Sequence, residues 1–82
     1  MLKTHQRQLL LEIVSQRYPE LTDHIVSNDL RDLSSADLEV IRDELGLEFA
    51  ASGLREDWEP NPRGLEIEDL IDFVNNILFA RE

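Results

Sequence analysis

The only tryptophan of this sequence sits in Glu56-Asp57-Trp58-Glu59, and Pro60-Asn61-Pro62-Arg63-Gly64 follows it directly. Carboxylates beside an indole offer two kinds of chemistry, cation ligation and the anchoring of a basic protein surface. Asp57, Glu59, Asn61 and Glu68 match positions 1, 3, 5 and 12 of a calcium-loop template, which supplies oxygen ligands at those intervals. The sixth position of that template needs a glycine for its sharp turn and holds Pro62, and the eighth needs an apolar residue and holds Gly64. The spacing is therefore expected to mark an acidic turn at a helix start, with no metal bound. Trp58 is expected to fold back over a small core, as large aromatics generally do. Left exposed, it would be the anchor of an interface, where tryptophan is enriched.

Other catalytic combinations are thin. There is no cysteine, so no disulfide, thiolate metal site or thiol nucleophile is available, and a reducing cytoplasm is the expected compartment. His5 lies near the start of one expected helix and His24 on another, without a serine motif or a second base to partner either. Carboxylates on a solvated helix face have no cause for a shifted pKa. The chain is expected not to be an enzyme and to need no cofactor.

Four helices account for most of the sequence. Leu9, Leu10, Ile13, Val14 and the stem of Arg17 keep a helical period, with Thr4 available as an N-cap, so the first helix is predicted over 5–17. Leu21, Ile25 and Val26 predict a short second helix over 20–27, after Pro19 has closed the first. Ser34 and Asp37 form a capping-box-like start to a third helix over 35–53. Leu38, Ile41, Leu45, Phe49 and Ser52 make its main stripe, and Val40, Leu47, Ala51 and Leu54 a flanking one, so it is expected to be broadly buried. The stripe keeps its phase across Gly46, which favours a continuous helix with Gly53 as its C-cap. Ile67, Leu70, Ile71, Val74, Ile77 and Leu78 predict the fourth helix over 66–80, with Glu66, Glu68 and Asp69 in its first turn complementing the dipole. Pro60 and Pro62 make 54–64 a rigid extended corner. The fold class is thus all-α, a small single-domain bundle across 1–82.

Charge narrows the partners. Residues 1–18 are net +2 and residues 19–82 net −12, for a total of −10. Such a field repels nucleic-acid phosphates and anionic lipids and steers toward basic proteins. No apolar run approaches the roughly 20 residues of a membrane span, so no membrane association is expected.

The run DLEVIRDELGLEF is similar to the helix that follows the modified serine of acyl carrier proteins. That resemblance implies an acidic four-helix carrier, but the family's Asp-Ser-Leu is absent: the serine's place falls at Asp32, and Ser34 follows Leu33. Without that hydroxyl no phosphopantetheine can be attached. The longer stretch GLREDWEPNPRGLEIEDLIDFVN resembles the C-terminal half of small bacterial proteins carrying an EPN-x-x-GL-x-x-EDLID segment, a group without an established activity. The resemblance implies a bacterial cytoplasmic origin.

The densest acidic region joins Glu56, Asp57, Trp58 and Glu59 to Glu66, Glu68, Asp69 and Asp72. It is the expected docking site for a basic protein partner, in the manner of immunity proteins and antitoxins that occlude a cationic surface. A self-associating structural protein is the alternative: Phe73 and Phe79 fall outside the stripe of helix four, and Leu11 and Tyr18 outside that of helix one, so apolar edges could pair in a homodimer.

Overall fold

The computed structural model describes residues 2–82 and shows an all-α bundle. Four helices appear in the order α1 (Thr4–Ser15), α2 (Pro19–Ser27), α3 (Ser35–Ser52) and α4 (Pro62–Ala80), with one 3-10 turn at Leu30–Asp32. No strand forms among the described residues beyond an isolated antiparallel bridge between Leu54 and Pro60.

Local chemistry sets the helix boundaries, and in three helices, α1, α2 and α4, they depart instructively from the sequence expectation. Thr4 is not the N-cap of α1 but its first residue. Lys3 is the cap, because Gln6 Oε1 accepts the Lys3 N–H at 2.9 Å and replaces the hydroxyl a threonine would have offered. The same helix ends at Ser15, two residues before Arg17, whose backbone N–H closes a turn onto Val14 O. Pro19 then serves as the first residue of α2, where its missing N–H costs nothing.

The third departure is the largest. Helix α4 starts at Pro62, a turn earlier than 66, because Asn61 caps it: its Oδ1 accepts the Gly64 N–H at 2.7 Å while Pro62 fills the first position. Its first turn consequently holds no acid, so Glu66, Glu68 and Asp69 do not play the dipole-complementing part expected of them. Ser34 does cap α3, accepting the Asp37 N–H at 3.1 Å, and α3 runs unbroken through Gly46 to a cap at Gly53.

The core is wholly aliphatic. Leu10, Val14, Ile25, Leu30, Leu38, Ile41, Leu45, Ile67, Leu70 and Val74 are its largest fully buried side chains, and every helix contributes. Phe49 and Phe73 only lean on its edge. Two expected core residues point outward instead: Val26 is 65% exposed and Leu47 55% exposed. The short α2 buries only Leu21 and Ile25, and α3 is buried along one stripe and not along its flank.

Helices α3 and α4 form the main pair, and two glycines meet backbone to backbone where α3 ends and α4 begins. A Cβ added at Gly64 would lie 2.0 Å from the Gly53 carbonyl oxygen, and one added at Gly53 would lie 3.0 Å from the Gly64 Cα. Backbone meets backbone there, which no other residue pair permits. Gly46 differs: a Cβ there meets nothing within 4 Å. Gly64→Ala is expected to cost about 3 kcal/mol or more by forcing the crossing apart, whereas Gly46→Ala should stabilise by roughly 0.5–1 kcal/mol through helix propensity. Urea unfolding monitored by circular dichroism measures both.

Candidate functional site

The glycine crossing dictates what happens to the connection. The Asn61 N–H donates to Gly53 O at 2.9 Å and the Asn61 side-chain amide to Ser52 O at 2.9 Å, so the end of α3 and the start of α4 are pinned together. The seven residues 54–60 must leave and return within that narrow gap, and they do so as a tight hairpin. Leu54 bridges Pro60, the Arg55 N–H donates to Glu59 O at 2.7 Å, and the Trp58 N–H donates to Arg55 O at 2.9 Å. Asp57 Oδ1 accepts the Glu59 N–H at 3.1 Å and steadies the tip.

Arg55 to Trp58 is thus a four-residue turn whose last member must adopt a left-handed backbone, a position usually given to glycine. Here it is Trp58, with φ of 67°, the only non-glycine residue with positive φ among the described residues. Its side chain is 79% exposed. The expectation that Trp58 folds over the core is therefore overturned. The backbone hydrogen bonds of the turn fix position 58 at its exposed tip, and the core is filled by aliphatic side chains alone.

Glu56, Asp57, Trp58 and Glu59 are brought together at this tip, all exposed. The acids of α4 separate from them by degrees. Glu66 turns toward α1, where its Oε1 lies 3.7 Å from His5 Nε2 on the surface. Glu68, Asp69 and Asp72 share one exposed face by their spacing of three and four. Asp72 stands about 15 Å along the axis from the start of α4. Seven of the eight residues thus form one compact acidic tip and a separate acidic stripe leading away from it, and Glu66 belongs to neither.

The calcium-template residues do not converge. Asn61 is consumed as a helix cap, and Glu68 lies on α4 beyond the first turn. No group of three metal-ligating side chains forms among the described residues. The serine region of the carrier resemblance is likewise committed: Ser34 Oγ caps α3, Ser35 Oγ accepts from Arg81 at 3.0 Å, and Asp32 closes the 3-10 turn.

Side chains that sequence reasoning passed over complete the surface. Leu65 is 54% exposed on α4 beside the hairpin base in sequence, and it lies off the apolar stripe, which was the available signal. Phe79, noted for the same reason, is 61% exposed. Arg81 donates to Arg31 O and Leu33 O, each at 2.8 Å, an arrangement no local pattern announces because its acceptors are carbonyls about fifty residues away. Glu44 is buried and meets the exposed Arg17 at 3.5 Å.

No family model, no curated protein and no solved structure matches this chain.

A left-handed tryptophan is costly, by roughly 1–2 kcal/mol relative to a glycine at the same place. Trp58→Gly is expected to raise stability by about 0.5–1 kcal/mol once the added freedom of the unfolded chain is subtracted. Chemical denaturation of the two proteins checks this. Asn61→Ala should lose about 1–2 kcal/mol with the cap.

Proposed function

We propose that this protein is a small acidic interaction module that docks on a basic protein surface through its tryptophan-tipped hairpin, as an inhibitor of the immunity or antitoxin kind or as an adaptor. One observation carries the reading: an indole held exposed in a backbone conformation that disfavours it. A chain selected only for stability would place glycine at that position, and one that needed the apolar surface for its core would bury it. Strain retained at an exposed aromatic fits a contact made with something else.

The electrostatics suit that role. Glu56, Asp57 and Glu59 share the hairpin tip with the indole, outnumbering the single cation Arg55, and Glu68, Asp69 and Asp72 extend the negative field along α4. An approaching cationic surface is drawn in by this field, and the indole then supplies the desolvated anchor. The two contributions differ in their dependence on salt. Steering acts on the association rate and is screened over about 8 Å at physiological ionic strength, whereas the buried indole acts on the dissociation rate.

No catalytic step is required by this reading. The Ser52 hydroxyl donates to the Glu48 carboxylate, but Arg63 ties both into the fold, and the buried Glu44 is engaged by Arg17.

Capture from lysate at low salt, with wild type and Trp58→Gly immobilised side by side, followed by surface kinetics on the captured protein, tests the proposal. A basic protein should be retained by wild type, lose about thirty-fold or more in affinity to Trp58→Gly, and associate more slowly as salt rises. Equal retention by both proteins, or an association rate indifferent to salt, would overturn it.

A further inference from the structure

Among the described residues, two of the open grooves on the bundle have linings of opposite charge. The one between α1 and α3, about 310 Å³, is walled by Glu44 and Glu48 with Arg17. The other, about 440 Å³, lies at the C-terminal end of α4, where Phe73, Ile77 and Ala80 make an apolar floor and Arg31, Arg81 and Asn76 line the rest. Arg81 is locked in place by its three hydrogen bonds to Arg31 O, Leu33 O and Ser35 Oγ. The exposed Arg31 side chain has no carboxylate partner among the described residues.

We propose that the second groove receives the Trp58 hairpin of another copy of this chain. The inference rests on the hairpin being a docking element, and it names a partner for that element. An apolar floor flanked by guanidinium groups fits a flat apolar ring bordered by carboxylates: the indole covers Phe73 and Ile77 and lies against a guanidinium face, while Glu56, Asp57 and Glu59 meet the two arginines. The hairpin has that composition, three carboxylates around the ring in sequence against the single cation Arg55. The α1–α3 groove would repel it through Glu44 and Glu48.

The contact must join two molecules. The hairpin lies at the start of α4 and the groove around its last turns, and the 19 residues between span roughly 27 Å. No copy can reach its own groove. Net repulsion between two chains of charge −10 is screened beyond about 8 Å at physiological salt, so the local match of acids to arginines decides the contact. Because the two surfaces differ, paired reciprocal contacts close a dimer, and single contacts run on head to tail.

Complementation tests this directly. Trp58→Gly keeps the groove and loses the hairpin's ring, and Arg31→Glu keeps the hairpin and reverses the groove's charge. Both positions are exposed, and circular dichroism checks that both variants fold. Light scattering in about 0.15 M salt should show wild type associating as concentration rises. Each variant alone should need at least about thirty-fold higher concentration, and an equimolar mixture should regain association through the one intact pairing. A wild type that stays monomeric up to about 1 mM overturns the proposal, as does association untouched by either variant or a mixture no better than its components. Monomeric wild type that still captures a basic protein through Trp58 would remove self-docking alone. Monomeric wild type with no such capture would remove the docking role as well.

Discussion

The contact of two backbones, at Gly53 and Gly64, is the constraint on which the rest of the structure hangs. Space for a Cβ is lacking on both sides of that crossing, so the end of α3 and the start of α4 meet backbone to backbone. Asn61 exploits the proximity with three hydrogen bonds, its own N–H to Gly53 O, its amide to Ser52 O, and its Oδ1 to the Gly64 N–H. Once α4 is fixed to begin beside the end of α3, the seven intervening residues have only one course, outward and back. The exposure of Trp58 follows from the glycines as much as from any property of tryptophan.

A second consequence concerns charge. The bundle lacks buried aromatic packing and ties its helices instead with arginines. Arg7 donates to Ile25 O between α1 and α2, and Arg17 reaches Glu44. Arg63 joins Glu12, Glu48 and Ser52 across three helices, and Ser52 Oγ in turn donates to Glu48 O. Arg81 holds the C-terminal end of α4 to the 3-10 turn. Half of the eight basic residues are thus spent on the fold. No ion pair among the described residues engages the acids of the hairpin or of the outer face of α4, and Arg55 is the one cation in the hairpin, so the field where the indole stands is net negative. Individually such surface pairs contribute little to stability, but those of Arg7 and Arg81 end on carbonyls and satisfy backbone acceptors at helix ends and turns.

Periodicity made the four helices legible, because burial of one face per helix is a strong constraint. Ile67, Leu70, Val74 and Leu78 are buried as their spacing demanded, and Leu38, Ile41 and Leu45 keep their stripe through Gly46. What the pattern could not carry was anything decided between elements. Val26 and Leu47 continue apolar runs but face water, because α2 is short and α1 covers only one side of α3. Pro62 is expected to belong to the extended corner, yet it sits at the first position of α4, where a missing N–H is harmless. Its permission came from Asn61 and from Gly64 beside Gly53, a pairing eleven residues apart that no periodicity encodes.

The candidate site was legible in composition and not in geometry. Acids around a lone tryptophan are visible in any reading, but burial habits pointed the indole inward. The turn that reverses this is defined by two backbone hydrogen bonds, Trp58 N–H to Arg55 O and Arg55 N–H to Glu59 O, and their closure requires a left-handed residue at position 58. Glycine would satisfy that requirement without strain, and Asp57 already supplies the polar contact that steadies the loop. The indole therefore adds nothing to the turn that contains it and detracts from its stability. On the proposed reading, its contribution lies in a contact beyond the chain that displays it.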